Sequence, residues 1–165
     1  MSAYGTLAEA NAYHLSRGNT LWAGTDEAKD IARLRGSEYV DATYRAQFPG
    51  WPTGDRSQLR EWPRNWAYDI YHNDIPATEV PREVKESSYE AALRELVTPG
   101  SLQPDWNPAN QNKREKVDVI EVEVEKMAIY GPTSVLPIVN IIRGIIRPVL
   151  TGSSLSMIAG NTARI

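Results

Sequence analysis

The chain has 165 residues, 41% hydrophobic and 24% charged, with a net charge of −3. That length supports one domain burying roughly 70% of its unfolded surface, and the composition is that of a soluble globular protein. The absence of cysteine excludes disulfides and thiolate metal sites.

The N-terminus lacks the basic-then-apolar pattern of a signal peptide. No apolar run reaches the ~18 residues of a membrane span, and the best candidate, residues 135–150, is broken by Asn140, Arg143 and Arg147. Charge is uneven: residues 1–126 carry 21 acids against 15 bases, a net of −6, whereas residues 127–165 carry three arginines and no acid. An acidic body argues against a general DNA binder, and a cationic, isoleucine-rich tail suggests an anionic or apolar partner.

Thr6 followed by Glu9 is a capping-box pattern and opens a helix over residues 7–17, with Gly18 able to take the left-handed cap. Trp22 is the large residue available to anchor the turn that follows. Thr25 caps a second helix, with Asp26 and Glu27 in its first turn, running to about residue 46. Its expected buried stripe is Ala28, Ile31, Ala32, Tyr39, Ala42 and Ala46, and Gly36 weakens it by about 1 kcal/mol relative to alanine. From residue 47 to 80, Pro49, Pro52, Pro63 and Pro76 with Gly50 and Gly54 break every regular pattern. This loop holds three of the five tryptophans, so it is expected to be ordered and packed.

Pro81 suits a helix start, and residues 82–97 form the clearest helix, with a small-residue face at Val84, Ser88, Ala91, Ala92 and Leu96. A polar linker anchored by Trp106 follows. Residues 113–126 alternate apolar and charged residues, predicting a short hairpin or bulged strand with Val122 and Val124 inward. A last helix begins near Ser134 and Pro137, apolar over most of its surface, and Pro148 should kink or end it. The Ser- and Gly-rich remainder reads as an extended tail. The fold class is mainly α: a small helical bundle with a long ordered loop, a short β-hairpin and a C-terminal helix and tail. Residues 1–133 form the body and 134–165 the docking helix and tail.

Catalytic signatures are missing. Of two histidines, His14 lies on the first helix without a partner pattern, and Asp69, His72 and Asp74 lack a fourth ligand for a metal. No phosphate-binding glycine loop, nucleophile elbow or zinc helix is present, and the carboxylates at 121, 123 and 125 read as a solvated strand face. The expectation is a protein that is not an enzyme and needs no cofactor.

The stretch "RSQLREWPRNW", residues 56–66, admits two readings. Arginines interleaved with tryptophans are what a single-strand binder uses, stacking bases and holding phosphates. Alternatively Arg60, Trp62, Arg64 and Trp66 anchor the loop or contact a neighbouring subunit. The low local charge favours the anchor or interface.

Three stretches, "YGTLAEANAYHLSRGNTLWAG" at 4–24, "QLREWPR" at 58–64 and "VPREVKESSYEAALRELV" at 80–97 followed by "KREKV" at 113–117, resemble a tailed-phage family of DnaT-like single-stranded-DNA-binding proteins. In size and helical layout the chain also looks similar to phage head–tail connectors, which form a dodecameric ring under the portal. The connector resemblance implies a structural ring component of the virion neck, made in the host cytoplasm and joining the portal protein to a downstream tail protein. Double-stranded DNA would pass through its acidic lumen without sequence-specific binding, and no membrane is involved. Ile138, Ile141, Ile142, Arg143, Ile145, Ile146, Arg147 and Arg164 would then form the partner-binding surface. The alternative is a DnaT-like single-stranded-DNA-binding protein acting in phage replication, with Trp62 and Trp66 as its stacking residues.

Overall fold

A computed structural model describes residues 2–105, 116–117, 120–121 and 137–151. Helix α1 spans Leu7–Ser16 and opens with the expected box: the Glu9 amide donates to the Thr6 hydroxyl, and the Thr6 amide donates to the Glu9 carboxylate. It closes on Gly18 at φ +64°. Helix α2, Asp26–Tyr44, is capped by the Thr25 side chain, and a short 3-10 turn carries the chain to Gln47. Helix α3, Arg82–Val97, starts directly after Pro81. Helix α4 spans Asn140–Ile146, starting later than the sequence suggested, and ends as expected before Pro148, in a 3-10 turn at Arg147–Val149.

Helices α2 and α3 form the centre of the molecule. Gly36 is the crossing point rather than a flaw in α2: a Cβ there would lie 2.5 Å from the Ser88 carbonyl oxygen and 2.6 Å from the Ala92 nitrogen. The buried face of α2 is therefore Ala32, Arg33, Gly36, Ser37, Val40, Asp41 and Tyr44, with Tyr39. Ile31, Ala42 and Ala46, expected inside, are exposed. The close approach to α3 at Gly36 fixes which side of α2 is buried. Ile31 and Ala42 lie on the opposite side of the helix, and Ala46 lies in the 3-10 turn after it. The polar members of this face are paired: Arg33 donates to the Gly5 carbonyl at 2.6 Å, and the Ser37 hydroxyl to the Arg33 carbonyl at 2.8 Å.

Two apolar clusters flank the pair. One joins Ala10, Tyr13 and Trp22 to Ala32, Tyr89 and Ala92. The other joins Tyr39, Val40, Tyr44, Phe48, Trp62 and Val84 to Ile142, Ile146, Val149 and Leu150. Complete burial of Ile142 and Ile146 contributes about 1.5–3 kcal/mol each to folding, which holds α4 on the body.

The 47–80 loop is ordered through two minimal antiparallel ladders that the sequence pattern did not predict. Strand β1, Trp51–Pro52, pairs with β2, Arg64–Asn65, and β3, Ala67–Tyr68, pairs with β4, Asp74–Ile75. The hairpin expected at 113–126 is present as β5, Lys116–Val117, paired with β6, Ile120–Glu121. Trp106, Val122, Val124 and the tail lie outside the described residues.

Candidate nucleic-acid interface

The loop has an inner and an outer layer. In the inner layer the Trp62 ring is 2% exposed and meets Phe48 edge-on at 5.6 Å. Its backbone N–H donates to the Tyr4 hydroxyl at 3.2 Å, and that hydroxyl donates to the buried Asp41 carboxylate. Burial raises the Asp41 carboxyl above its ordinary range, against the opposing pull of Tyr4 and Arg60. Arg60 reaches the same carboxylate at 3.3 Å, Glu38 at 3.4 Å and the Ser2 carbonyl at 2.5 Å. Arg64 uses its planar fork on backbone: Nε donates to Pro49 at 2.8 Å, Nη2 to Gly50 at 2.7 Å, and Nη1 to the Glu61 carboxylate at 2.9 Å. Gln58 ties the turn between β1 and β2, donating to the Arg60 and Pro63 carbonyls and accepting from Thr53 and Gly54.

Glycine is required where the two layers meet. At Gly50, φ is +62° and a Cβ would lie 1.9 Å from the Asn65 carbonyl oxygen. The close approach sets Trp51 opposite Asn65 and therefore beside Trp66.

The outer layer is aromatic and solvent-facing. Trp51 is 52% exposed and Trp66 77%, with ring centroids 6.4 Å apart and planes inclined by 35°. The two indoles thus form a tilted, solvent-facing aromatic pair. Trp66 adopts φ +56°, which turns its side chain away from the buried Ala67 that follows. Next along the chain, Tyr68 stacks on His72 at 5.7 Å with planes 24° apart, and Tyr71 projects into solvent. This second hairpin is tied by Asp69, whose carboxylate accepts from the Tyr71 and Asn73 amides and the Asn73 side chain, contacts that hold its carboxyl below the ordinary range. The Ile70 amide donates to the Pro148 carbonyl at 2.8 Å, so the C-terminal turn supports the hairpin from behind.

Among the described residues no group of three His, Asp or Glu side chains is arranged to hold a metal ion. A shallow cleft of about 420 Å³ between α2 and the loop is lined by Glu38, Asp41, Glu61, Arg45 and Arg60, whose charges largely pair with one another.

The residues expected to act together thus separate. Arg60, Trp62 and Arg64 are turned onto the protein's own body, whereas Trp66 faces solvent. Trp51, Tyr68 and Tyr71 join Trp66 on the outside; the aromatic spacing held a signal for them, but only the pairing of β1 with β2 brings Trp51 to Trp66. The C-terminal surface divides likewise. Ile142 and Ile146 are fully buried in the core and offer nothing to a partner, which corrects their assignment as docking residues. Ile138, Ile141, Arg143 and Arg147 are exposed, Ile145 is half-buried, and Arg164 lies outside the described residues.

The family described as "Putative DnaT-like ssDNA binding protein" matches residues 1–164. The chain belongs to that family. No curated protein and no solved structure matches it. The match overturns the connector expectation, together with its ring, portal, tail and passing-duplex partners and its place in the virion neck, because the whole chain aligns with a single-strand-binding description and no connector is found. The overlap in size and helical layout that suggested a connector is generic to small helical proteins.

Proposed function

We propose that this family member is a non-catalytic protein that binds single-stranded DNA by stacking bases on the Trp51–Trp66 pair. The observation that carries the reading is this exposed pair of indoles on a loop locked to the body by Arg60, Trp62 and Arg64. Large apolar rings left in solvent lose the benefit of burial unless a flat partner covers them, and an unpaired base is such a partner. The rigid loop supports the reading further, because a pre-set platform loses little side-chain freedom on binding. Family membership supports the same ligand class.

The test is titration of a fluorescein-labelled oligo-dT by anisotropy, with tryptophan quenching followed in parallel. The wild type should bind, and Trp66→Ala and Trp51→Ala should each weaken binding by about 5- to 150-fold, the effect of 1–3 kcal/mol per stacked base, with unchanged melting temperature. Equal affinity of Trp66→Ala and wild type would remove the platform from the mechanism.

A further inference from the structure

The arginines that would grip phosphates in this loop are already spent on the protein itself. Residues 47–80 carry three arginines against five acids, a net of −2. Of the three, Arg60 lies between Asp41 and Glu38, and Arg64 is buried on Pro49, Gly50 and Glu61. Arg45, on the neighbouring turn, lies 3.7 Å from Glu61. Arg56 is the loop's one arginine that is exposed and has no carboxylate within ion-pair distance among the described residues. Asp74, paired across the ladder with Tyr68, and Asp69, in the turn that follows it, bring like charge to a phosphate beside the second hairpin's rings. A surface of this kind repels a nucleic-acid backbone more than it attracts one.

The aromatic surface, by contrast, continues beyond the first pair. Trp66 and Tyr68 stand on either side of the buried Ala67, and both rings are solvent-facing. Their Cα atoms are at most about 7 Å apart, roughly two stacking steps. The Asp69 turn fixes His72 behind Tyr68 and leaves the tyrosine ring 41% exposed.

Resting on the single-strand reading above, we propose that the strand is held by its bases along a two-step aromatic track, Trp51–Trp66 and then Tyr68–His72, while its phosphates remain in solvent. Selectivity against duplex DNA follows, since paired bases are stacked on one another and present no free face. Salt dependence is the second consequence. For a single strand the slope is about 0.7 per neutralised phosphate, so raising salt fourfold weakens a one-phosphate contact by about threefold and a six-phosphate contact by about 300-fold.

The experiment compares the full-length protein on oligo-dT and on an abasic strand of equal length, at about 50 mM and about 200 mM salt, the range over which phosphate-held complexes weaken most visibly. The expected result is binding to oligo-dT that weakens by less than about tenfold across this range, and binding to the abasic strand weaker by about tenfold or more. Tyr68→Ala should weaken oligo-dT binding by about fivefold or more, with its far-UV spectrum and melting temperature retained. Equal affinity for the abasic strand, or a salt effect above about tenfold, overturns the base-held mode while leaving single-strand binding intact. Unchanged binding by Tyr68→Ala overturns the second step. No binding to oligo-dT at either salt overturns the functional reading itself.

Discussion

Trp62 and Trp66 stand four positions apart on one loop, yet their exposures are 2% and 77%, and the partners around each account for the difference. Trp62 lies where Phe48 from one end of the loop and Tyr4 from the N-terminus converge, so its ring is enclosed and its amide has an acceptor. Trp66 follows β2 at a left-handed residue, and its aromatic neighbour among the described residues is Trp51, itself 52% exposed. Arg60 and Arg64, on either side of Trp62, side with it, because their forks donate to backbone carbonyls and to the buried Asp41 carboxylate. A tryptophan–arginine motif in a proline-rich loop is therefore two devices interleaved, one that fastens the loop and one that it presents.

The largest expected effect separates these devices directly. Trp62→Ala should destabilise the fold by about 3–5 kcal/mol, the range for a buried aromatic, and Trp66→Ala should stay within about 0.5 kcal/mol, both read by urea denaturation. Comparable losses at the two sites would dissolve the distinction. Gly50→Ala should come next, at about 1–3 kcal/mol, since the added Cβ meets the Asn65 carbonyl oxygen in a left-handed backbone. It should also separate the two indoles, seen as a change in the near-UV dichroism of Trp51 and Trp66.

A smaller effect tests the core that the loop does not touch. His14 is buried and stacks on Trp22 at 4.3 Å, and burial holds its pKa below the ordinary 6.5, with Arg17 and Lys29 acting in the same sense and Glu90 against them. A lowered folded pKa means that the unfolded chain takes up the proton first. The contribution is complete above pH 6.5 and is lost as pH falls below it. Stability should fall by at most about 1.4 kcal/mol per pH unit in that window, and His14→Phe should flatten the profile. Asp41, whose carboxyl is raised, contributes with the opposite sign, so the His14→Phe profile is compared with that of the wild type, which carries the same Asp41. The smallest effect is expected from Arg56→Gln, which should change oligonucleotide affinity by no more than about threefold at 50–200 mM salt, the weight of one phosphate contact. A loss above tenfold there would move the arginines back into the binding surface.

Much of the helical frame was legible because its signals are local. The Thr6–Glu9 box, the Thr25 cap and Pro81 each mark a helix start within four residues, and Pro148 marks an end. The small-residue face of α3 announced a close helix neighbour, and Gly36 supplies it. What misled was composition. Six isoleucines and valines near the C-terminus read as an outward surface, whereas Ile142, Ile146 and Val149 complete the core that Tyr44, Phe48 and Trp62 leave open. Counting apolar residues says how much must be covered, and not by which part of the chain.

The sequence by itself determined the mainly helical class, the helix starts and an ordered loop rich in tryptophan, since capping, periodicity and breaking act between residues a few positions apart. Which tryptophans are fastened and which presented was decided by tertiary structure. That outcome depends on Tyr4, 58 residues from Trp62, on Gly50 meeting Asn65, and on the Pro148 carbonyl receiving the Ile70 amide. Burial is a property of converging segments, and no local pattern contains it.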